Sequence, residues 1–272
     1  MKLKEGVTLT ANVLNLNNLR LAVLIDAENV PRNCIKSVME EIAIYGTPTI
    51  KRIYGDWTNP SIAGWKHSLL ENAITPIQQY SYTFGKNSSD SAMIIDAMDI
   101  LYTEKTDGFV IVSSDSDFTR LAIRLREAGQ RVIGIGEMKT PSPFIAACDK
   151  FTYIEVIRAN AVEVKAAGEE QKPVEKTRSK QPLPSKTRGS KVPEDVIQII
   201  ADSISDLAVD DDWVFMGELG NLILKKQPDF DHRNFGFKSL SSLIKSIDRF
   251  DVDFRQTTDP NIKHPYVHDK ES

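Results

Sequence analysis

Two aspartates stand one residue apart, directly after a run of residues that favours a β-strand. In GFVIVSSDSDFTRL (108–121), strand-forming apolar residues end at two serines, and Asp115 and Asp117 follow. An amphipathic run typical of a helix begins at Phe118. Carboxylates this close repel one another, so keeping both ionised is costly unless a cation or protons compensate the charge. Cation binding is therefore the first chemistry that this stretch suggests.

Two further acidic residues occupy comparable positions elsewhere in the chain. Asp26 closes the apolar strand pattern LRLAVLIDA (19–27), and Asp90 opens the helical pattern SDSAMIIDAMDILYTE (89–104). On a helical projection Asp90 shares a face with apolar residues that should pack on a sheet, whereas Asp96 falls about 120° away. Asp90 is therefore expected at the site. Asp96 is not expected to contact a ligand and at best supports the residues that do.

The elements that position these residues alternate between strand and helix. Strands are predicted over 19–27, 47–56, 74–83, 108–114, 130–136 and 151–157, and helices over 33–46, 61–73, 89–104, 118–129 and 142–148. This alternation is typical of an α/β fold, in which helices cover both faces of a mostly parallel sheet. Functional groups in such sheets gather at the carboxyl ends of the strands. The acidic residues predicted to converge there on one crevice are Asp26, Asp90, Asp115 and Asp117.

Carboxylates without histidine or cysteine are the hard oxygen ligands that suit Mg²⁺ or Mn²⁺. Such an ion activates water and clamps phosphoryl oxygens. Serine and aspartate at strand-to-helix junctions are also common N-caps, and Asp117, Ser89 and Asp90 fit that role. Capping explains any single aspartate as well as metal binding does, but the four together favour the metal. Since like charges repel, neutralising Asp26 or Asp115 is expected to leave the fold intact.

The bulk composition is that of an ordinary globular chain. It has 272 residues, 41% of them hydrophobic and 26% charged, which allows one medium and one small domain. No apolar run of about 18 residues predicts a transmembrane helix, and no signal-peptide pattern is present at the N-terminus. Cys34 and Cys148 have no motif spacing, so a reducing cytoplasm is the expected location. The formal net charge of −4 argues against a simple basic nucleic-acid binder.

A basic, proline-containing stretch divides the chain. The segment QKPVEKTRSKQPLPSKTRGSK (171–191) carries seven basic residues and one acidic residue, with almost nothing large and apolar to bury. Its composition is typical of a flexible linker, which serves either as a spacer or as an electrostatic arm for phosphates. The predicted organisation is a first domain over 1–157, a linker over 158–192 and a second domain over 193–272.

Three motifs of the first domain together resemble the NYN domain of the PIN-like nuclease superfamily, in particular its LabA-like (DUF88) subgroup. They are LIDAENV (24–30), GKNSSDSAMIIDAM (85–98) and IVSSDSDFTRLAIRLREAG (111–129), in this order. The resemblance covers residues 20–157. It implies a PIN-like α/β/α sandwich and metal-dependent endoribonuclease activity on single-stranded regions of RNA.

The resemblance also implies roles for individual residues. The family's acidic positions match the four aspartates already singled out, and its nearby asparagine matches Asn29. Asp96 matches a further recurrent acidic position. In this interpretation the aspartates hold Mg²⁺ or Mn²⁺, while Asn29 and Ser114 orient ligands or water. The residues expected from their positions to attract the RNA backbone are Lys86, Arg52 and Arg120.

The order of elements after the linker is that of a winged helix, with helices followed by a hairpin. The string GELGNLILKKQPDFDHRNFGFKSLSSLI resembles an OST-HTH, or LOTUS, domain, which implies RNA binding or the docking of a protein partner. Lys238 and Lys245 are expected along one side of the KSLSSLIKS helix, where they would meet phosphates, although an ordinary solvated face explains them equally well. Nine basic against 16 acidic residues in 193–272 favour a protein partner or a narrow RNA site.

The function that these observations predict is metal-dependent cleavage of single-stranded RNA, with the second domain docking RNA or a partner. The alternative is a non-catalytic RNA-binding or regulatory adaptor that uses both domains for RNA or protein interaction. The complete acid set favours the enzyme, since an adaptor has no use for all four carboxylates. A phosphatase acting on small phosphates is a third hypothesis, but the basic linker and the winged helix favour a polymer substrate. No membrane association is expected, and the oligomeric state is left open.

Overall fold

A computed structural model describes residues 19–80, 88–103, 105–168, 192–208, 212–256 and 263–271 of the chain. The chain divides into two compact units, Met1–Lys165 and Ala166–Ser272. Within the described residues, no helix combines the length and the apolarity needed to cross a membrane.

The first unit is built on a six-stranded sheet. Its strands are β1 (Arg20–Asp26), β2 (Thr47–Gly55), β3 (Thr75–Gln78), β4 (Gly108–Val112), β5 (Arg131–Gly136) and β6 (Lys150–Tyr153). Its helices are α1 (Ile35–Tyr45), α2 (Lys66–Asn72), α3 (Ser88–Thr103), α4 (Thr119–Glu127), α5 (Ser142–Ala147) and α6 (Ile154–Gly168). The spatial order is β3-β2-β1-β4-β5-β6, and all neighbouring strands are parallel.

Both faces of the sheet are buried, which explains why its central strands are almost wholly apolar. Successive side chains of a strand point to opposite faces, so Leu21, Val23 and Ile25 pack with α1, α2 and α6, while Ala22 and Leu24 pack with α3, α4 and α5. The unit is therefore an α/β/α sandwich with a parallel sheet, of the PIN-like type, as the alternating pattern and the resemblance predict.

The strand order reverses between β1 and β4, because the chain builds outward from β1 to β3 and then returns to place β4 on the other side of β1. At such a switch point the connections leave the two strands in opposite directions and open a crevice at their carboxyl ends. Asp26 ends β1, and the SSDSD segment follows β4. The predicted site residues therefore lie at the crevice that the topology creates.

The last strand of this unit is shorter than predicted. The strand expected over 151–157 ends at Tyr153, and α6 begins at the next residue and continues to Gly168. Ile154 and Ile157, three residues apart, both pack in the core as a helix requires. The predicted linker therefore begins with helical residues, 158–168, while 169–191 lie outside the described residues.

The second unit has the winged-helix order that the sequence predicts. Its elements are α7 (Glu194–Leu207), β7 (Val214–Phe215), α8 (Met216–Lys226), α9 (Leu240–Ile244), β8 (Phe250–Gln256) and β9 (Lys263–Asp269). The three strands form an antiparallel sheet in the order β7-β9-β8. The helix expected over KSLSSLIKS has only five residues, and it begins after Ser239, which forms a reciprocal capping box with Ser242. Lys238 therefore precedes the helix instead of lying along it.

Candidate functional site

Asp26 is buried at the end of β1 and is held by three hydrogen-bond donors. Only 1% of the residue's surface is exposed. Oδ1 accepts the backbone N–H of Glu28 at 3.0 Å, and Oδ2 accepts Asn29 Nδ2 at 2.7 Å and Ser113 Oγ at 2.9 Å. Hydrogen bonds to the charged form compensate part of the desolvation that burial imposes on a carboxylate. Asp26 thereby links the turn after β1 to the segment after β4.

Two serines fix the segment after β4 to its neighbours. Besides donating to Asp26, the Ser113 hydroxyl accepts the backbone N–H of Asp115 at 3.1 Å. Ser114 Oγ accepts the backbone N–H of Glu137 at 2.8 Å, just beyond the end of β5. Both serines are buried. The segment is therefore tied to the ends of both β1 and β5 before it reaches Asp115 and Asp117.

Asp115 forms an N-cap at the turn that follows β4. Its Oδ1 accepts the backbone N–H of Asp117 at 2.9 Å, so it caps the 3-10 turn Ser116–Phe118. The fully buried ring of Phe118 anchors that turn in the core. Assigning the cap to Asp117 was wrong, because the chain turns two residues earlier than the helical pattern indicates. Capping does not remove Asp115 from the acidic group described next.

Asp90 completes a group of three carboxylates, which we call the acidic cluster: Asp90, Asp115 and Asp117. Ligand oxygens from the three residues lie within 4.8 Å of one another. Asp90 is in the first turn of α3, not at its N-cap, and is only 7% exposed. Burial, followed by the charges of Asp26, Asp115 and Asp117, raises the pKa of Asp90 to about 6. Burial and the neighbouring carboxylates thus both disfavour the ionised form of Asp90.

The acidic cluster fits a hard divalent cation. Its donors are carboxylate oxygens from three residues, close enough together to share one ion, and Mg²⁺ and Mn²⁺ prefer such ligands. A cation would also offset the burial and the repulsion that together raise the pKa of Asp90. Asp26 lies outside the group of three but contributes to the electrostatic field at Asp90. The cluster has one buried member, one of intermediate burial and one exposed, so it opens to solvent on one side.

Asp96 lies away from the cluster and has local partners. Its carboxylate accepts hydrogen bonds from the Arg52 guanidinium and from the Tyr54 hydroxyl, both on β2. The hydrogen bond with Asp96 raises the pKa of Arg52, and burial raises that of Tyr54. Arg52, which the sequence analysis assigned to RNA binding, is thus paired with a carboxylate of its own domain.

The other basic residues proposed to contact RNA differ in placement. Arg120 is exposed on the first turn of α4, three residues after Asp117, and Lys86 lies outside the described residues. In the second unit Lys238 is exposed, and the Lys245 ammonium lies 4.5 Å from the centre of the Phe254 ring. Arg120 is therefore the basic candidate with the shortest chain separation from the cluster.

Ser113 and Glu28 belong to the site but were not predicted from the sequence. Ser113 is fully buried between Asp26 and Asp115, and the only available signal was a hydroxyl residue directly after a buried strand. Glu28 lies in the turn after β1 and is largely exposed; partial desolvation of its carboxylate, followed by the charge of Asp26, raises its pKa. Its acidic character inside the LIDAENV motif was the available signal.

The outer face of the sheet in the second unit carries aromatic rings. Val214 and Val267 face the core, so their strand neighbours Phe215 and Tyr266 lie on the opposite face. The ring of Phe215 stacks on His264 at 5.1 Å between centroids, and the Arg255 guanidinium lies 4.8 Å from the Tyr266 ring. Aromatic rings interleaved with basic groups are found where proteins stack bases, and also at protein interfaces.

The parallel sandwich and the carboxylates at its switch point define a PIN-like α/β/α domain followed by a small helical domain with an antiparallel sheet. The family model described as NYN domain matches residues 20–155, and the one described as OST-HTH/LOTUS domain matches residues 189–262. The chain therefore belongs to the NYN domain family, which is part of a nuclease superfamily. NYN and OST-HTH/LOTUS domains generally bind RNA, and NYN-type nucleases generally use divalent metal ions. Assignment to the LabA-like subgroup stays a prediction.

Similar solved structures come from bacteria. A protein of unknown function from Vibrio parahaemolyticus is 18% identical with a TM-score of 0.42, over 50% of this chain and 92% of its own. An uncharacterized protein from Nitrosomonas europaea is 29% identical with a TM-score of 0.27, over 35% of this chain and 92% of its own. A Chromobacterium violaceum protein is 24% identical with a TM-score of 0.24, over 30% of this chain and 85% of its own. No curated protein matches the chain.

Proposed function

We propose that the protein is a metal-dependent endoribonuclease that cleaves single-stranded RNA. The observation that carries the proposal is the acidic cluster, whose ligand oxygens lie within 4.8 Å of one another at the carboxyl edge of a parallel sheet. Membership of the NYN family supports RNA as the polymer. In this proposal the three carboxylates of the cluster hold the ion, and water is the attacking group.

In the proposed mechanism, Asp90, Asp115 and Asp117 hold Mg²⁺ or Mn²⁺. When bound, the ion supplies an activated water and neutralises charge that develops on the phosphoryl oxygens. Asp26 positions the residues around it by accepting hydrogen bonds from both sides of the crevice. The hydrogen bonds of Ser113 and Ser114 hold the acidic segment against the sheet. Arg120 attracts the phosphate backbone toward the exposed side of the cluster.

The second unit supplies docking in this proposal. RNA is the partner that its family favours. The aromatic and basic side chains on the outer face of its sheet, among them Phe215, Tyr266 and Arg255, are suited to stack unpaired bases. Lys238 and Lys245 would add phosphate contacts. The same surface could instead receive a protein, which the truncation experiment below separates from RNA docking.

Cleavage is expected to depend on added Mn²⁺ or Mg²⁺ and to disappear in EDTA. A labelled circular single-stranded RNA is the substrate of choice, because an enzyme that requires an end cannot open it. We expect linear products with either ion and intact circles with the chelator, since uncompensated carboxylates repel the phosphate that they must approach. Undiminished cleavage in EDTA would exclude the metal mechanism. Metal-independent RNA binding without cleavage under any condition would support the adaptor instead.

A fragment that ends at Gly168 is expected to fold and to keep its turnover on short RNA. It contains every strand of the large sheet and the whole of α6. A cut at Arg158 would remove most of α6, the helix that holds Ile154 and Ile157 in the core. Its affinity for long RNA should fall, because two tethered sites raise each other's effective concentration. Turnover and apparent affinity are compared for the full chain, residues 1–168 and residues 1–191 at two salt concentrations. Unchanged affinity for long RNA after truncation would favour a protein as the partner of the second unit.

A further inference from the structure

A cavity of about 660 Å³ opens beside the turn that follows β1. This volume is within the range of roughly 300–1,000 Å³ typical of small-molecule sites. Its lining combines charged, amide and apolar side chains: Ala27, Glu28, Val30, Arg32, Asn33, Asn59, Ile62 and Trp65. None of these side chains belongs to the acidic cluster.

The cavity and the proposed active site share one turn of the chain. Ala27 and Glu28, which form one wall of the cavity, directly follow Asp26, and the Glu28 backbone N–H donates to Asp26 Oδ1 at 3.0 Å. A ligand in the cavity would therefore lie immediately beside the residues at the carboxyl end of β1. The cavity is therefore connected through this turn to Asp26, whose charge acts on Asp90 of the acidic cluster.

Arg32 lines the cavity, and its guanidinium lies close to Gly64. A Cβ atom at Gly64 would lie 1.5 Å from Arg32 Nη1 and 2.7 Å from its Cζ, so the guanidinium occupies the space that any other residue would fill. Within the described part of the chain, no carboxylate forms an ion pair with Arg32. An exposed guanidinium at the wall of a cavity is suited to bind an anion, and it matches phosphate especially well.

The remaining lining indicates what the rest of the ligand should be. Asn33 and Asn59 provide amides that can both donate and accept hydrogen bonds, as the edge of a nucleobase requires. Val30, Ile62 and Trp65 provide an apolar wall. Glu28 disfavours a second phosphate on the side nearest Asp26, so the anionic end of a ligand should lie at Arg32.

We propose that this cavity binds one nucleotide of the RNA strand next to the cleaved bond, with its phosphate on Arg32 and its base near Asn33 and Asn59. The placement next to the cleaved bond rests on the proposed function, but the binding itself does not require cleavage. Arg32 is a binding residue in this assignment, and the acidic cluster keeps the chemistry.

The test measures binding of a short fluorescent single-stranded RNA to the full chain in EDTA, where metal-dependent cleavage is suppressed. Arg32→Gln should raise Kd roughly tenfold, the effect of losing one charge-assisted phosphate contact. In a plot of the logarithm of the association constant against the logarithm of the salt concentration, the slope should become less negative by about 0.7. Gly64→Ala should weaken binding without changing net charge, because the new methyl displaces the guanidinium. Arg131→Gln, at the opposite end of β5 from the crevice, is the matched control and should leave Kd and slope unchanged.

The outcomes separate the cavity from the nuclease. If Arg32→Gln and Gly64→Ala bind RNA as tightly as the wild type while cleavage in Mn²⁺ persists, the cavity proposal is overturned and the nuclease proposal stands. If the variants weaken binding but no protein cleaves RNA in any metal, the cavity stands and the nuclease fails. Wild-type protein that binds no single-stranded RNA overturns the cavity proposal, and equal losses in the Arg131→Gln control would show that only overall charge matters. Near-ultraviolet circular dichroism confirms that each variant is folded.

Discussion

Asp90→Asn is expected to lower cleavage of single-stranded RNA by at least about 1,000-fold while it makes the metal-free protein more stable. The loss of activity corresponds to about 4 kcal/mol of transition-state stabilisation, which is the scale of removing a ligand from a catalytic ion. The gain in stability follows from electrostatics. Asp90 is buried beside Asp26, Asp115 and Asp117, and its pKa is raised to about 6.

The sign of the stability change depends on pH. The pKa of Asp90 is higher in the folded protein than its ordinary value of 3.8, so the folded state holds the proton more tightly. Ionised Asp90 therefore opposes folding: the penalty is absent below pH 3.8, grows as the pH rises and is complete above about pH 6. At pH 7.5 in EDTA, Asp90→Asn should raise the free energy of unfolding by on the order of 3 kcal/mol. Near pH 3.5, where both side chains are neutral, the difference should vanish.

The matched control is Asp99→Asn, an exposed position on the same helix. It should change neither cleavage nor the urea midpoint at either pH. Wild-type cleavage by Asp90→Asn would remove the acidic cluster from the mechanism. A loss of cleavage accompanied by a loss of stability would instead assign Asp90 a structural role.

The general plan of the site could be predicted from sequence because it depends on topology more than on side-chain detail. Apolar runs ending in acidic residues indicated buried parallel strands, and strands of this kind bring their carboxyl ends to one edge of a sheet. The helical projection of Asp90 was informative for the same reason: one face of α3 must cover the sheet, as its buried residues Met93 and Ala97 do. These inferences need only the period of each element.

The local contacts could not be predicted, because they depend on register and on rotamers. Pairing of Asp96 with Arg52 and Tyr54 joins residues more than 40 positions apart. Whether Asp115 or Asp117 caps the turn depends on where the chain leaves β4, which apolar periodicity locates only to within two residues or so. The start of α6 was missed because Ile154 and Ile157 fit a strand end about as well as a helix start.

Asp26 is expected to respond in the opposite way from Asp90, although the two carboxylates face the same crevice. Repulsion alone predicted that neutralising Asp26 would leave the fold intact. The structure instead shows both of its oxygens accepting hydrogen bonds, from the Glu28 N–H, Asn29 Nδ2 and Ser113 Oγ. In Asp26→Asn one oxygen becomes an NH₂ group that meets a donor, so at least one buried hydrogen bond is lost and a donor is left unsatisfied.

Asp26→Asn should therefore lower the free energy of unfolding by about 1–3 kcal/mol in EDTA at pH 7.5 and lower cleavage at least about 100-fold. The activity falls because the same bonds hold the segment that carries Asp115.

Ser113→Ala removes one of the three donors to Asp26. The variant with both Asp26→Asn and Ser113→Ala should lose less free energy of unfolding than the sum of the two single losses, since the two side chains share a hydrogen bond. Urea unfolding of the four proteins in this cycle, with Asp99→Asn alongside, measures that coupling. A stabilised Asp26→Asn would mean that repulsion outweighs the hydrogen bonds, and strictly additive losses would mean that Ser113 does not support the Asp26 carboxylate.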